Sequence, residues 1–285
     1  MGWLSNRYNK RSSKKLGWTP EWFGASNYDS DLEQKVKQFQ EEHDLQVDGK
    51  VGMNTFRAIS LHREAVLKFD KPGELLVNGI RKKINWPNTK IELINPGCYR
   101  KSRRKRKINM AVTHFDVCTS ASACKRVLEK RGISTHFIID NDGAILQLVD
   151  TNDTAWHAGK GNKYSVGIDI SNAYYLKYGA RYKRLGLKER PVIEDSVVHG
   201  IKLKPHLGYY PEQIEAYKAL LKFLNKEVGI ELEYPKNEDG SLCTGVHSPA
   251  VRNKFKGVVN HYNLTRNKID TAGLQLDKII DSLKS

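Results

Sequence analysis

His114 stands at the end of an apolar run, residues 108–113, and far downstream His261 is followed by Lys268-Ile269-Asp270. Two histidines and an aspartate make a donor set for a catalytic zinc, which takes three protein ligands and keeps a fourth position open. In an extended segment Lys268 and Asp270 point to the same side. One could then hold a metal while the other faces what the metal activates, and the chemistry implied is hydrolysis of a polarised carbonyl. Each residue also has a structural alternative. A histidine ending a strand is commonly a hydrogen-bonded structural residue. Asp270 precedes Leu274, Leu276, Ile279, Ile280 and Leu283, a helical spacing that would place it near an N-cap. Taken singly, each residue favours the structural reading; the surrounding sequence shifts the balance.

Between these clusters, residues 134–149 hold two β-rich runs around the polar turn Asp140-Asn141-Asp142-Gly143, a hairpin pattern. Ala155-Trp156-His157-Ala158-Gly159 and Ser165-Val166-Gly167-Ile168-Asp169-Ile170 follow. In this order the segments resemble the zinc-dependent N-acetylmuramoyl-L-alanine amidases of type 2, relatives of phage amidase lysins and peptidoglycan recognition proteins. The resemblance covers roughly residues 80–285. It implies zinc held by His114, His261 and Asp270, a transition-state lysine at Lys268 and an acidic catalytic residue at Asp169. It also implies a substrate-lining loop carrying Trp156 and His157, with loop hydrogen bonding as the alternative role for His157. Two departures stand out. Asp169 occupies a glutamate position and reaches about 1.5 Å less far. Thr135 occupies a position where some phage members carry a tyrosine that assists catalysis. His136, within a strand, reads as structural, and His199, His206 and His247 have no partners at informative spacing.

The first 70 residues read as a separate unit. Leu32, Val36 and Phe39 share one helical face, Asp48-Gly49 and Val51-Gly52 signal a turn, and Phe56, Ile59 and Leu61 suggest a second helix. Leu16, Trp18, Trp22 and Phe23 would complete the core, with Gly49 or Gly52 supplying a positive φ. The run from Lys35 to Gly52 resembles the three-helix peptidoglycan-binding module found beside cell-wall hydrolases. The expected organisation is a helical module over 1–70, a linker over 71–80 marked by Pro72-Gly73, and a catalytic domain over 81–285. The catalytic part should be α/β, a central mixed sheet covered by helices, with strands at 108–115, 135–139, 144–149 and 165–170 and a helix from Pro211 to Lys226.

With 48 basic and 32 acidic residues the chain carries a formal charge of +16 and should seek an anionic partner. The basic run 100–107 lacks interleaved aromatics, so bacterial peptidoglycan and other anionic envelope polymers fit better than nucleic acid. A solvated loop is the ordinary alternative. No stretch approaches the ~20 apolar residues of a membrane span. The N-terminus lacks a signal-peptide core, which suits a monomeric phage endolysin made in the host cytoplasm and acting at the wall once the membrane is permeabilised. Cys98, Cys118, Cys124 and Cys243 then read as free structural thiols, although the resemblance also allows Cys118 and Cys124 to pair. The expected activity is cleavage of the bond between N-acetylmuramic acid and L-alanine. A non-catalytic peptidoglycan binder on the same fold is the alternative, and a nucleic-acid-binding protein rests on charge alone.

Overall fold

The computed structural model describes residues 2–66, 73–102 and 104–284. Three helices build the N-terminal module: α1 (Gly2–Leu16), α2 (Ser30–Glu42) and α3 (Met53–Val66). Asp29 starts α2 by accepting the amides of Asp31 and Leu32, two of the donors a helix start leaves unpaired. Leu32, Val36 and Phe39 are buried as their spacing predicts, and Leu16, Trp18 and Val51 close the core around them. The turn before α3 hangs on Gln40, whose side chain accepts from the amides of Asp48 and Gly49 and donates to the Lys50 carbonyl. Of the two glycines named from sequence, Gly49 supplies the positive φ, +69°, and a β-carbon there would sit 2.7 Å from Glu33 Cγ. The side chain of Leu61, the expected boundary at 69–72 and Arg103 lie outside the described residues.

Part of the expected linker is a hairpin of the catalytic body. Strands β1 (Glu74–Val77) and β2 (Ile80–Lys83) pair antiparallel, and Leu75 is buried in the main core. The Gln147 side chain accepts from the Leu76 amide at 2.6 Å and donates to its carbonyl at 2.8 Å. Gly73, at φ +77°, thus leads directly into a strand.

The central sheet adds β3 (Thr89–Ile91), β4 (Met110–Phe115), β5 (Phe137–Ile139), β6 (Ile145–Gln147), β7 (Ser165–Ile170) and β8 (Gly257–Asn260). Their spatial order is β8-β4-β7-β5-β6-β3. Only the β5–β6 hairpin is antiparallel within it, so the sheet is mixed. Helix α4 (Ala121–Arg131) covers one face through Cys124 and Leu128 against Ile138, Leu146 and Leu148. On the other face, α5 (Pro211–Val228) lays Tyr217, Leu220, Leu221 and Leu224 on Phe137, Val166 and Ile168, and α6 (Leu276–Lys284) adds Ile279 and Ile280. No helix among the described residues is long and apolar enough to cross a membrane.

Arg106 departs from the surface role expected of its basic run. Its guanidinium donates to the carbonyls of Thr151, Asp153, Asn162 and Ser165, and desolvation lowers its pKa to about 10. Composition marks a charge run as solvated, yet this one side chain pins the segment that leads from β6 into β7.

His136 is fully buried, and its Nδ1 accepts the Gly167 amide at 2.9 Å while Nε2 lies 3.1 Å from the Asp153 carbonyl. The proton therefore sits on Nε2. Burial, then the Arg106 charge, lowers its pKa to about 3. The folded chain holds it neutral, while the unfolded chain protonates it below ~6.5. Its contribution to stability is complete above that value and is lost as pH falls toward 3, at up to ~1.4 kcal/mol per pH unit. Urea midpoints measured from pH 7 to 4 should fall less steeply in His136→Gln than in the parent; equal slopes would contradict this.

Candidate metal centre

Three adjacent parallel strands end at one edge, where open α/β sheets bind ligands. His114 is the penultimate residue of β4 and pairs in register with Asp169 of β7, so both side chains leave the sheet on one face. Asn260, the last residue of β8, pairs with Thr113, which brings His261 level with His114. Asp270 arrives on the following loop, tied down by the Tyr262 amide donating to its carbonyl at 3.0 Å. All four residues are buried.

His114 Nδ1, His261 Nδ1 and Asp270 Oδ2 form a triangle with edges of 3.0, 3.0 and 2.9 Å. Hydrogen bonds alone cannot satisfy it. The imidazoles could each point a proton at Oδ2, but the two Nδ1 atoms would still face each other at 3.0 Å. A cation shared by three lone pairs resolves the contact, and nitrogen–nitrogen–carboxylate is a zinc donor set. Protonation agrees. Burial, then the His261 charge, lowers His114 to about 4. Burial pushes Asp270 up, but the two imidazoles beside it, His114 and His261, outweigh that and hold it well below the usual carboxylate range. His114 and Asp270 thus stand deprotonated at neutral pH, as a metal requires of its ligands.

A directed relay fixes His114. Its Nε2 lies 3.0 Å from His157 Nδ1, His157 Nε2 lies 3.3 Å from Ser165 Oγ, and that hydroxyl donates to the Gly161 carbonyl at 2.9 Å. Running the protons outward puts the Nε2 proton on His114 and leaves its Nδ1 lone pair aimed into the triangle. His157 is thus a half-buried partner of His114. Gly167 makes room for it, since a β-carbon there would meet three atoms of the His157 ring at 2.7–2.8 Å. Gly167→Ala should displace that ring and weaken zinc binding by about 10–100-fold, the usual cost of losing such a partner. Competition titration against a calibrated chelator measures it, and an unchanged affinity would contradict the relay.

Asp169 is buried, and its carboxyl is pushed well above the usual range by desolvation and by the charges of Asp116 and Asp270. Cys124 Sγ donates to its Oδ2 at 3.7 Å. Lys268 is exposed, with its carbonyl held by His199 Nε2 at 3.0 Å. His199, a position without sequence signal, adopts φ +54° and anchors its own amide on the Thr244 carbonyl. Lys268 is close enough for its charge to lower His114. Trp156 is 37% exposed, whereas Thr135 is 1% exposed and does not line a surface groove. The strand-entry backbone turns Thr135 inward beside Ser134, whose hydroxyl takes the Trp156 amide.

Asp116, Cys118 and Cys124 form a second donor group with atoms within 4.8 Å of one another. Asp116 has little left to offer a metal, since its oxygens accept from the Cys118 and Asn172 amides and the Ser171 hydroxyl. The four cysteines are thiols. Beside His261 a groove of about 330 Å3 runs between Gly159-Lys160 and Val251, Asn253, Leu264 and Thr265.

The profile of the N-acetylmuramoyl-L-alanine amidase family matches residues 104–272, more than half of the chain, and that of a peptidoglycan binding domain matches residues 14–59. The N-acetylmuramoyl-L-alanine amidase CwlA of a Bacillus species is 38% identical over 142 residues, covering 46% of this chain and 55% of that protein. The 1,6-anhydro-N-acetylmuramyl-L-alanine amidase AmpD of Salmonella typhimurium is 29% identical over 90 residues, 28% of this chain and 48% of that one. The chain thus spans about half the length of the curated relatives it matches. Among solved structures, the amidase LysC from Clostridium intestinale URNW aligns at 16% identity and TM-score 0.41, covering 68% of this chain and 97% of its own. The chain belongs to the N-acetylmuramoyl-L-alanine amidase family.

Proposed function

We propose that the chain is a zinc-dependent hydrolase of the amide between N-acetylmuramic acid and L-alanine in peptidoglycan, deployed as a phage endolysin. The observation that carries this reading is the triangle of donors, His114, His261 and Asp270, with the buried carboxyl of Asp169 on the neighbouring strand. Zinc bound there would supply Lewis acidity and lower the pKa of water to ~7. The chain's own residues do the rest. Asp169, with its raised pKa, takes the proton of the attacking water and returns it to the leaving amine. Lys268 brings its ammonium to the carbonyl oxygen as negative charge develops. Exposed Trp156 offers a ring to the sugar, and the groove beside His261 accepts the stem peptide. The match of residues 14–59 to a peptidoglycan binding domain supports the same polymer as partner and a wall-anchoring role for the helical module.

Purified sacculi provide the test. The chain should solubilise them, stop in a strong chelator and resume with zinc; binding without solubilisation would make it a recognition protein instead. The phage role makes a separate demand. Cells expressing the chain in the cytoplasm should stay intact until their membrane is opened, then lyse. Lysis without that opening would contradict it.

A further inference from the structure

Arg100, Lys101, Arg104, Lys105, Lys107 and Lys163 line one groove of about 670 Å3. No carboxylate is among its described lining residues. The nearby Asp150 and Asp153 are engaged by backbone amides, from Gly79 and Asn152 on the first and Ser102 on the second. The groove's lining also includes Arg106, whose guanidinium is held by its four carbonyl partners. Positive charge continues onto the helical module. A β-carbon on Gly17, just past α1, would lie 3.3 Å from the Arg104 backbone nitrogen, and Lys14 and Lys15 are exposed in the last turn of that helix.

We propose that this groove binds a phosphodiester polymer of the cell wall, a polyol-phosphate chain, alongside the peptidoglycan that the catalytic centre cuts. The inference rests on the wall target proposed above. Cations packed this densely match a string of closely spaced anions, whereas stem-peptide carboxylates are sparse. Guanidinium forks suit phosphate oxygens in particular. Nucleic acid offers the same phosphodiesters, but its single strands are held by bases stacking on open aromatic rings. The one ring among its described lining residues, Tyr164, is half-buried with the Lys163 ammonium 5.3 Å from its centroid. A polymer without bases loses nothing there.

The test uses the full chain on sacculi that keep their wall polymer and on sacculi stripped of it by hydrofluoric acid, with poly(glycerol phosphate) as soluble probe. Stripping should weaken binding about tenfold at low salt, and affinity for the probe should fall steeply as salt rises. Arg104→Glu/Lys105→Glu should show the same loss on intact sacculi while cutting soluble muropeptides at the parental rate. The neutral pair Arg104→Gln/Lys105→Gln, milder on folding, should lose part of the binding. Equal binding to intact and stripped sacculi, with cleavage preserved, would overturn the groove assignment and leave the amidase reading standing. Probe binding without any cleavage would do the reverse. Tighter binding of single-stranded DNA than of the probe at equal phosphate would also overturn it.

Discussion

His261→Ala is expected to leave a folded protein without stoichiometric zinc and with turnover lower by about three orders of magnitude or more. The reason lies in the triangle. Removing one corner leaves His114 and Asp270, and two ligands hold zinc poorly. The loss should not be a folding failure, because His261 sits at the open strand edge and the neighbouring Asn260 and Asn263 carry the local hydrogen bonds. Metal content by elemental analysis and urea midpoints on the same preparations separate the two explanations. One zinc per chain in His261→Ala would sink the ligand assignment.

Asp169→Asn and Lys268→Ala should retain zinc and lose ~10²–10⁴ in turnover, the range for removing a general base or a charge-stabilising donor. The asparagine keeps the shape and can still meet Cys124, so packing is a poor explanation for a loss. Asp169→Glu restores about 1.5 Å of reach and asks whether the shorter side chain is matched to its pocket or limits the rate. Near-full activity in Asp169→Asn would assign the base elsewhere, and Thr135, buried with an unpartnered hydroxyl, is poorly placed to take over.

The metal-ligand candidates were legible because residue types and order survive in one dimension. An apolar run ending in His114 and a late His261 followed by Asp270 need only parallel strands to converge. The apolar spacing in α2 and α5 likewise identified their buried faces. The support of the site was not legible in the same way. His157 meets His114 across 43 residues, and nothing near it in sequence names its partner. A signal did exist in Ser165-Val166-Gly167-Ile168-Asp169, where small residues alternate on the face that carries Asp169 and so leave room for a ring. Arg106 was hidden by its basic neighbours, since composition averages over the one side chain that turns inward. His199 was hidden because its role is a backbone contact to Lys268, which no side-chain pattern encodes. The hairpin at 74–83 was hidden by Pro72-Gly73, which reads equally as the end of a linker or the entry to a strand.

The central claim is the bond that is cut, and the direct measurement is the chemistry of the new ends. Purified peptidoglycan digested by the full chain should gain free L-alanine amino groups, detected by amino-group labelling and mass spectrometry, with no rise in reducing sugar. New reducing ends without free L-alanine would mean that the glycan strand is cut, and the amidase assignment would be wrong.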